Sequence, residues 1–345
     1  MPIPYTKFLW NFSLLVLIAS LQACSAEKLP NTDYQNLVWP SAPAKAKVRF
    51  VRTFSKPGDL GIDRGFWQWL SDLFTGEESF RLIRPMSVVV NSKQQIYVAD
   101  PGAKGVHRFD MQAREYKLIT RKDELIFPSP VALSLGPDDS IYVVDSELAQ
   151  VFRIDPTAND ATRILPSIKF QQPTGIAYNP TSKQTYISDT AQHHIKIIDT
   201  NGRLNKTFGK RGGGNGDFNF PTYLWLDNKG RLLVTDSLNF RIQTFDSKGR
   251  FSSKFGRLGD ASGNFSRPKG VAADKNGHIF VVDALFNAVQ IFNEQGALML
   301  PVGSSGQKPG QFWLPAGIFL NNNDEIYIAD SHNQRVQVLR YVGGN

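Results

Sequence analysis

The sequence predicts an all-β fold, a six-bladed propeller closed by its own N-terminal strand, and three observations carry that expectation. A short apolar run ending in aspartate recurs at Asp100, Asp145, Asp189, Asp236, Asp283 and Asp330, at intervals of 45, 44, 47, 47 and 47 residues. A proline stands 15 or 16 residues before each of them, at Pro85, Pro130, Pro173, Pro221, Pro268 and Pro315, and opens another apolar stretch. The chain then stops one strand short of six complete units, and a matching segment waits at its other end.

Composition supports a packed body. Of 345 residues 41% are hydrophobic, and the formal net charge is +8, too much apolar side chain for a disordered chain. A single cysteine excludes an internal disulfide framework and zinc sites built on paired thiolates.

Taken in order, the first 23 residues read as an export signal. Lys7 precedes an apolar run from Phe8 to Leu21, 14 residues where a bilayer-crossing helix takes about 20. Leu21-Gln22-Ala23-Cys24-Ser25 follows, and it resembles the lipobox of bacterial lipoproteins. The resemblance implies cleavage before Cys24, acylation of that cysteine and an anchor in the cell envelope. Ser25 rather than Asp at the next position resembles lipoproteins sent to the outer membrane, facing the periplasm. Residues 24–47, with Pro30, Pro40 and Pro43 and no sustained period, are expected to be a tether.

The body, 48–345, opens with Val48 to Phe54, a strand-like VRFVRTF. Residues 56–84 form an insertion in which Asp63 can cap a helix from about Gly65 to Phe74, with Phe66, Trp69, Leu70 and Leu73 at helical spacing and Trp67 beside them. Trp67 and Trp69 are candidate partner-docking residues. Each repeat then supplies the run after Pro, the run ending in Asp (YVAD, YVVD, YISD, LVTD, FVVD, YIAD), a turn and a third run such as Arg241 to Phe245. Most add a fourth, such as Phe251 to Phe255. Four short strands per unit of about 45 residues is the pattern of a propeller blade. Repeat six ends after its third run, and Val48 to Phe54 is expected to complete it and cover its edge.

Over residues 48–345 the repeats resemble NHL repeats, most fully from Gly310-Gln311-Phe312 through Ile326-Tyr327-Ile328-Ala329-Asp330 to Asn333-Gln334-Arg335-Val336-Gln337-Val338. Repeats one to three depart from that pattern. Asn and Arg are missing after Asp100 and Asp145, and His193 and His194 replace them after Asp189.

Strand alternation puts the turns after each Asp and the loops into each Pro on one face, where function is expected. The six aspartates are read as acceptors for their own turns. The Gly-rich loop from Gly209 to Gly216 lacks the Lys-Ser/Thr and following helix of a phosphate loop. His193, His194 and His332 fall on opposite blades, too far apart to share a metal, and are read as turn or surface histidines. The first positions of the innermost strands, Met86-Ser87, Val131-Ala132, Thr174-Gly175, Thr222-Tyr223, Lys269-Gly270 and Ala316-Gly317, offer no Asp, Glu or His. Neither the carboxylates of propeller lactonases nor the histidines of propeller lyases are visible there, and no elbow motif suggests a catalytic serine.

Charge remains. The loops at 120–130, 166–173, 209–221, 256–269 and 303–315 hold nine Lys or Arg against four acids. Lys210, Arg211, Arg267 and Lys269 are the candidate ligand-binding residues. The resulting expectation is a monomeric, lipid-anchored binding or scaffold module for an envelope protein or anionic polysaccharide. It has no catalytic residues, no metal or cofactor and no nucleic acid. The alternative is a propeller enzyme of lactonase or lyase type.

Overall fold

In the computed structural model the described residues are 34–62, 80–121, 126–157 and 160–343. The expected leader, Cys24 and the insertion's Trp67 and Trp69 lie outside them. Gln35–Asn345 form one compact unit.

Its strands make six antiparallel meanders. Blade one is Ser87–Val90, Gln95–Asp100, Gly105–Asp110 and Glu115–Arg121, and blade two is Pro130–Leu135, Ile141–Asp145, Gln150–Ile154 and Asp160–Ile164. Blades three, four and five begin at Pro173–Asn179, Pro221–Leu226 and Pro268–Ala273 and follow the same order. Blade six is Ile318–Leu320, Glu325–Asp330 and Arg335–Tyr341, completed by Val48–Phe54, which pairs antiparallel from Val48 opposite Tyr341 to Phe54 opposite Val336. The innermost strands pack in a closed cycle, with Ile318–Leu320 returning to Ser87–Val90. The expected closure is present.

The runs are apolar on both faces because both faces are covered. Every residue of Gln95–Asp100 and of Glu325–Asp330 is buried, which is what sandwiching between neighbouring blades requires. Aromatic clusters fill the wedges between blades. Phe245 packs on Phe208 and Phe218 at ring distances of 5.0 and 5.4 Å, and Phe292 repeats the arrangement with Phe255 and Phe265 at 4.9 and 5.5 Å.

Part of the segment expected as a tether, 24–47, belongs to the propeller. Val38–Trp39 pairs with Val48 and Arg49 on the outer edge of blade six, Lys47 N donates to Trp39 O and Phe50 N to Leu37 O. The closing strand is itself an edge with unpaired peptide groups, so the segment before it folds back and satisfies them. A second edge is hidden otherwise: the outer strands of blades one and two pair with each other in parallel, Thr120 opposite Asp160.

Candidate functional site

The repeat aspartates are structural, and they do more than hold their own turns. All six are fully buried. Asp145 accepts from Glu147 N and Leu148 N in its turn, but also from Ser129 N, in the loop arriving from the previous blade. Asp283 likewise takes Ser266 N and Arg267 N, and Asp100 takes Ile83 N and Arg84 N. Asp189, Asp236 and Asp330 spend their oxygens on the incoming loop and on side chains instead of their turns. Asp236 accepts from Asn219 N at 2.6 Å, Asn239 Nδ2 at 2.8 Å, Arg241 Nε at 2.7 Å and Gln243 Nε2 at 3.1 Å. Arg241 then carries the grip outward to the carbonyls of Gly213, Gly214 and Asp217. Asp330 repeats the set with Trp313 N, Asn333, Arg335 and Gln337. Burial pushes the Asp236 and Asp145 carboxyls up against these donors. At Asp100 burial acts in the same direction but is outweighed by His107 and two backbone donors, which hold it below the usual carboxylate range.

The loops themselves are pinned from below. Phe218, Phe265 and Phe312 are fully buried and lie under Gly209, Gly256 and Gly303. Each of these glycines has φ near +90°, and a Cβ there would stand 2.4 Å from the ring, so only glycine fits. Lys210 and Arg211 thus project from a rigid loop and are exposed.

The structure brings together only part of the expected set. Arg267 and Lys269 line a 290 Å³ cavity at this end of the channel with Arg84, Ser129, Ser331 and His332, whereas Lys210 and Arg211 are not among its lining residues. Lys269 is half-buried, and that burial, with Arg267 beside it, lowers its pKa. Among the described residues no carboxylate pairs with Arg84, Arg267 or Lys269. His332, expected as a turn or surface histidine, is exposed in the turn after Asp330 and also forms a wall of this pocket, its ring 5.6 Å from that of Trp313. His193 does sit in its turn, where Nδ1 accepts from Phe220 N at 3.1 Å. Arg84 was missed, although it precedes Pro85 as Arg267 precedes Pro268, and that register is the signal that finds it.

Beyond the pocket the channel is shut. Tyr223 of blade four donates its hydroxyl to Met86 O of blade one, 3.3 Å away across the ring. At its register the other blades carry Ser87, Ala132, Gly175, Gly270 and Gly317, so one large side chain occupies the space that five small ones leave. The inner backbones are correspondingly close: a Cβ on Gly175 would lie 2.0 Å from Thr222 O, and one on Gly317 2.5 Å from Met86 O.

On the far side of Tyr223 the channel widens into a 730 Å³ cavity lined by the innermost strands of all six blades, and it opens on the opposite face. Trp225 lies in its wall against Phe319, with ring centres 5.8 Å apart. A second cavity of 540 Å³ continues from its mouth past Tyr178 and Leu226 to Asp227, Asp274 and Asp324. Those acids are engaged, by Arg231, His278 and Lys275 respectively. Among the described residues no three His, Cys, Asp or Glu side chains converge on a point, and no helix is long and apolar enough to cross a membrane.

The model of the teneurin NHL domain matches residues 118–313, and that of the NHL repeat matches 312–339. No curated protein sequence matches the chain. Among solved structures it is similar to virginiamycin B lyase from Staphylococcus aureus, at 13% identity and TM-score 0.57, covering 86% of this chain and 100% of that one. An auxiliary nutrient binding protein from Bacteroides thetaiotaomicron matches at 12% identity and TM-score 0.60, over 76% and 70% of the two chains. A gluconolactonase from Xanthomonas campestris matches at 11% identity and TM-score 0.58, over 75% and 86%. Identities this low establish the shared fold and nothing finer.

Proposed function

The chain belongs to the family of the teneurin NHL domain, and from that premise we propose that it is a binding or scaffold module of the bacterial cell envelope, anchored through an acylated Cys24 and docking an anionic group of a protein or polysaccharide at the basic end of its channel. One observation carries the reading: Arg84, Arg267 and Lys269 line one pocket and, among the described residues, no carboxylate pairs with them, and a half-buried, unpaired ammonium is an unfavourable arrangement until an anion meets it. The surrounding face suits a partner larger than a single ion. Of the eight exposed large hydrophobic residues among those described, six lie on the loops of this face, namely Ile83, Ile126, Leu238, Leu258, Leu285 and Trp313. Apolar side chains around a charged centre are the composition of an interaction surface.

The test pairs two neutralisations. Arg267→Gln with Lys269→Gln is expected to lose the partner captured by cross-linking in intact envelopes, and to weaken its salt-sensitive association. Lys93→Gln with Lys183→Gln, exposed on the other face, is expected to retain it. Equal capture by both variants refutes the pocket. For the anchor, labelled fatty acid is expected in the wild type and not in Cys24→Ala.

A further inference from the structure

The geometry points to a second, separate binding site in the wide end of the channel, for an uncharged small molecule that has a largely apolar body with a hydrogen-bond acceptor on it and polar groups at one end. The cavity's 730 Å³ lies within the roughly 300–1,000 Å³ of small-molecule sites, and Tyr223 makes it a blind pocket. Its depth is apolar, with Val89, Leu133, Ala177, Trp225 and Phe319 in the wall. Asp139 is the single acid among its lining residues, and none of them is Lys, Arg, His or Glu. Both Asp139 oxygens are taken, one by Ser92 N and the other by the Ser92 hydroxyl. An anionic guest would therefore give up its hydration without meeting a counter-charge, and a cationic one would meet only Asp139, whose oxygens Ser92 already engages, so the site favours a neutral guest.

The polar groups that are free sit where a guest could use them. Trp225 Nε1 is buried without a partner among the described residues, a donor that ordinarily has one. At the mouth the side chains of Gln94, Tyr178, Asn322 and Asn323 line the opening, and no described residue hydrogen-bonds to them. A guest seated body-first would bury its apolar surface against the wall, satisfy the indole and leave its polar end among neutral amides and a phenol. The basic pocket at the other end of the channel takes no part.

Nile red, a neutral planar dye with a carbonyl acceptor, is the probe, followed by its fluorescence with the full chain. Saturable binding is expected. Leu226→Trp, which fills the mouth, should weaken it about tenfold or more, and Trp225→Phe, which keeps the ring and removes the donor, about five- to tenfold. Anilinonaphthalene sulfonate, an aromatic body with a fixed negative charge, should not compete. Arg267→Gln with Lys269→Gln should bind the dye as the wild type does, which separates this site from the anionic one. Should Leu226→Trp fail to fold, Trp225→Phe decides. Non-saturable uptake, equal affinity in every variant that keeps the wild-type melting temperature, or competition by the sulfonate overturns the site.

Discussion

The two ends of one channel are built on opposite principles. At the narrow end the loops are long and are held by buried carboxylates, arginine forks and phenylalanine anchors, so that positive charge is presented from a rigid frame and left unpaired. At the wide end the turns are short, the acids around the second cavity are ion-paired, and the side chains left without a partner in the wall of the wide cavity are neutral. Asp227 takes Arg231 Nε at 2.7 Å, Asp274 takes His278 Nδ1 at 2.7 Å and Glu325 takes Arg340 at 2.7 Å. A propeller can differentiate its faces because one set of connections serves each face, and a repeated aspartate stabilises only one of them. Tyr223 keeps the two environments apart.

The largest way to break this contrast is to open the wall common to both ends. Deleting Val48–Phe54 removes the strand paired to Arg335–Tyr341 and exposes an inner edge. Loss of a cooperative thermal transition is expected, and with it both binding activities. Beginning the chain at residue 46 keeps the closing strand and, of the described strands, removes only Val38–Trp39, and a drop of a few degrees is expected. Equal melting temperatures for the two truncations would contradict the closure.

A smaller effect separates the ends. Arg241→Ala strands the buried Asp236 and frees three loop carbonyls, and should cost about 3–5 kcal/mol in denaturant unfolding, as breaking a buried pair does. Ser92→Ala, which releases Asp139 at the rim of the wide end, should cost no more than about 1 kcal/mol. If the two costs are alike, the narrow end has no special frame.

The finest distinction is in pH. Lys269 is charged below its pKa, and burial together with Arg267 lowers that pKa. Anion binding at the narrow end should therefore weaken as pH rises, before the ordinary lysine range is reached. The loss should be of the order of tenfold, the worth of one charge-assisted bond. Lys269→Arg should hold binding to higher pH, and Nile red binding at the wide end should stay flat throughout. A pH profile unchanged by Lys269→Arg would remove Lys269 from the anion site.

Much of this was legible in the chain. Proline, aspartate and the runs between them recur at nearly constant spacing, because each strand must reach the same depth in its blade, and a period survives in any single sequence. The missing fourth strand of blade six and its donor at Val48 to Phe54 were legible for the same reason. The carboxylates could be read as acceptors but not assigned all their donors, since the arriving loop lies 16 to 18 residues back in the chain and the turn only two or three residues ahead. Arg267 and Lys269 could be named from the chain, but which side chains they share a pocket with could not. Arg84 lines one cavity with Lys269 and His332, and Tyr223 meets Met86 from 137 residues away, through the closing of a ring and not through any local pattern. Periodicity records what each repeat does alone, whereas a channel belongs to no repeat: its width, its plug and the charge at each end are set by which blades face one another, and only tertiary packing decides that.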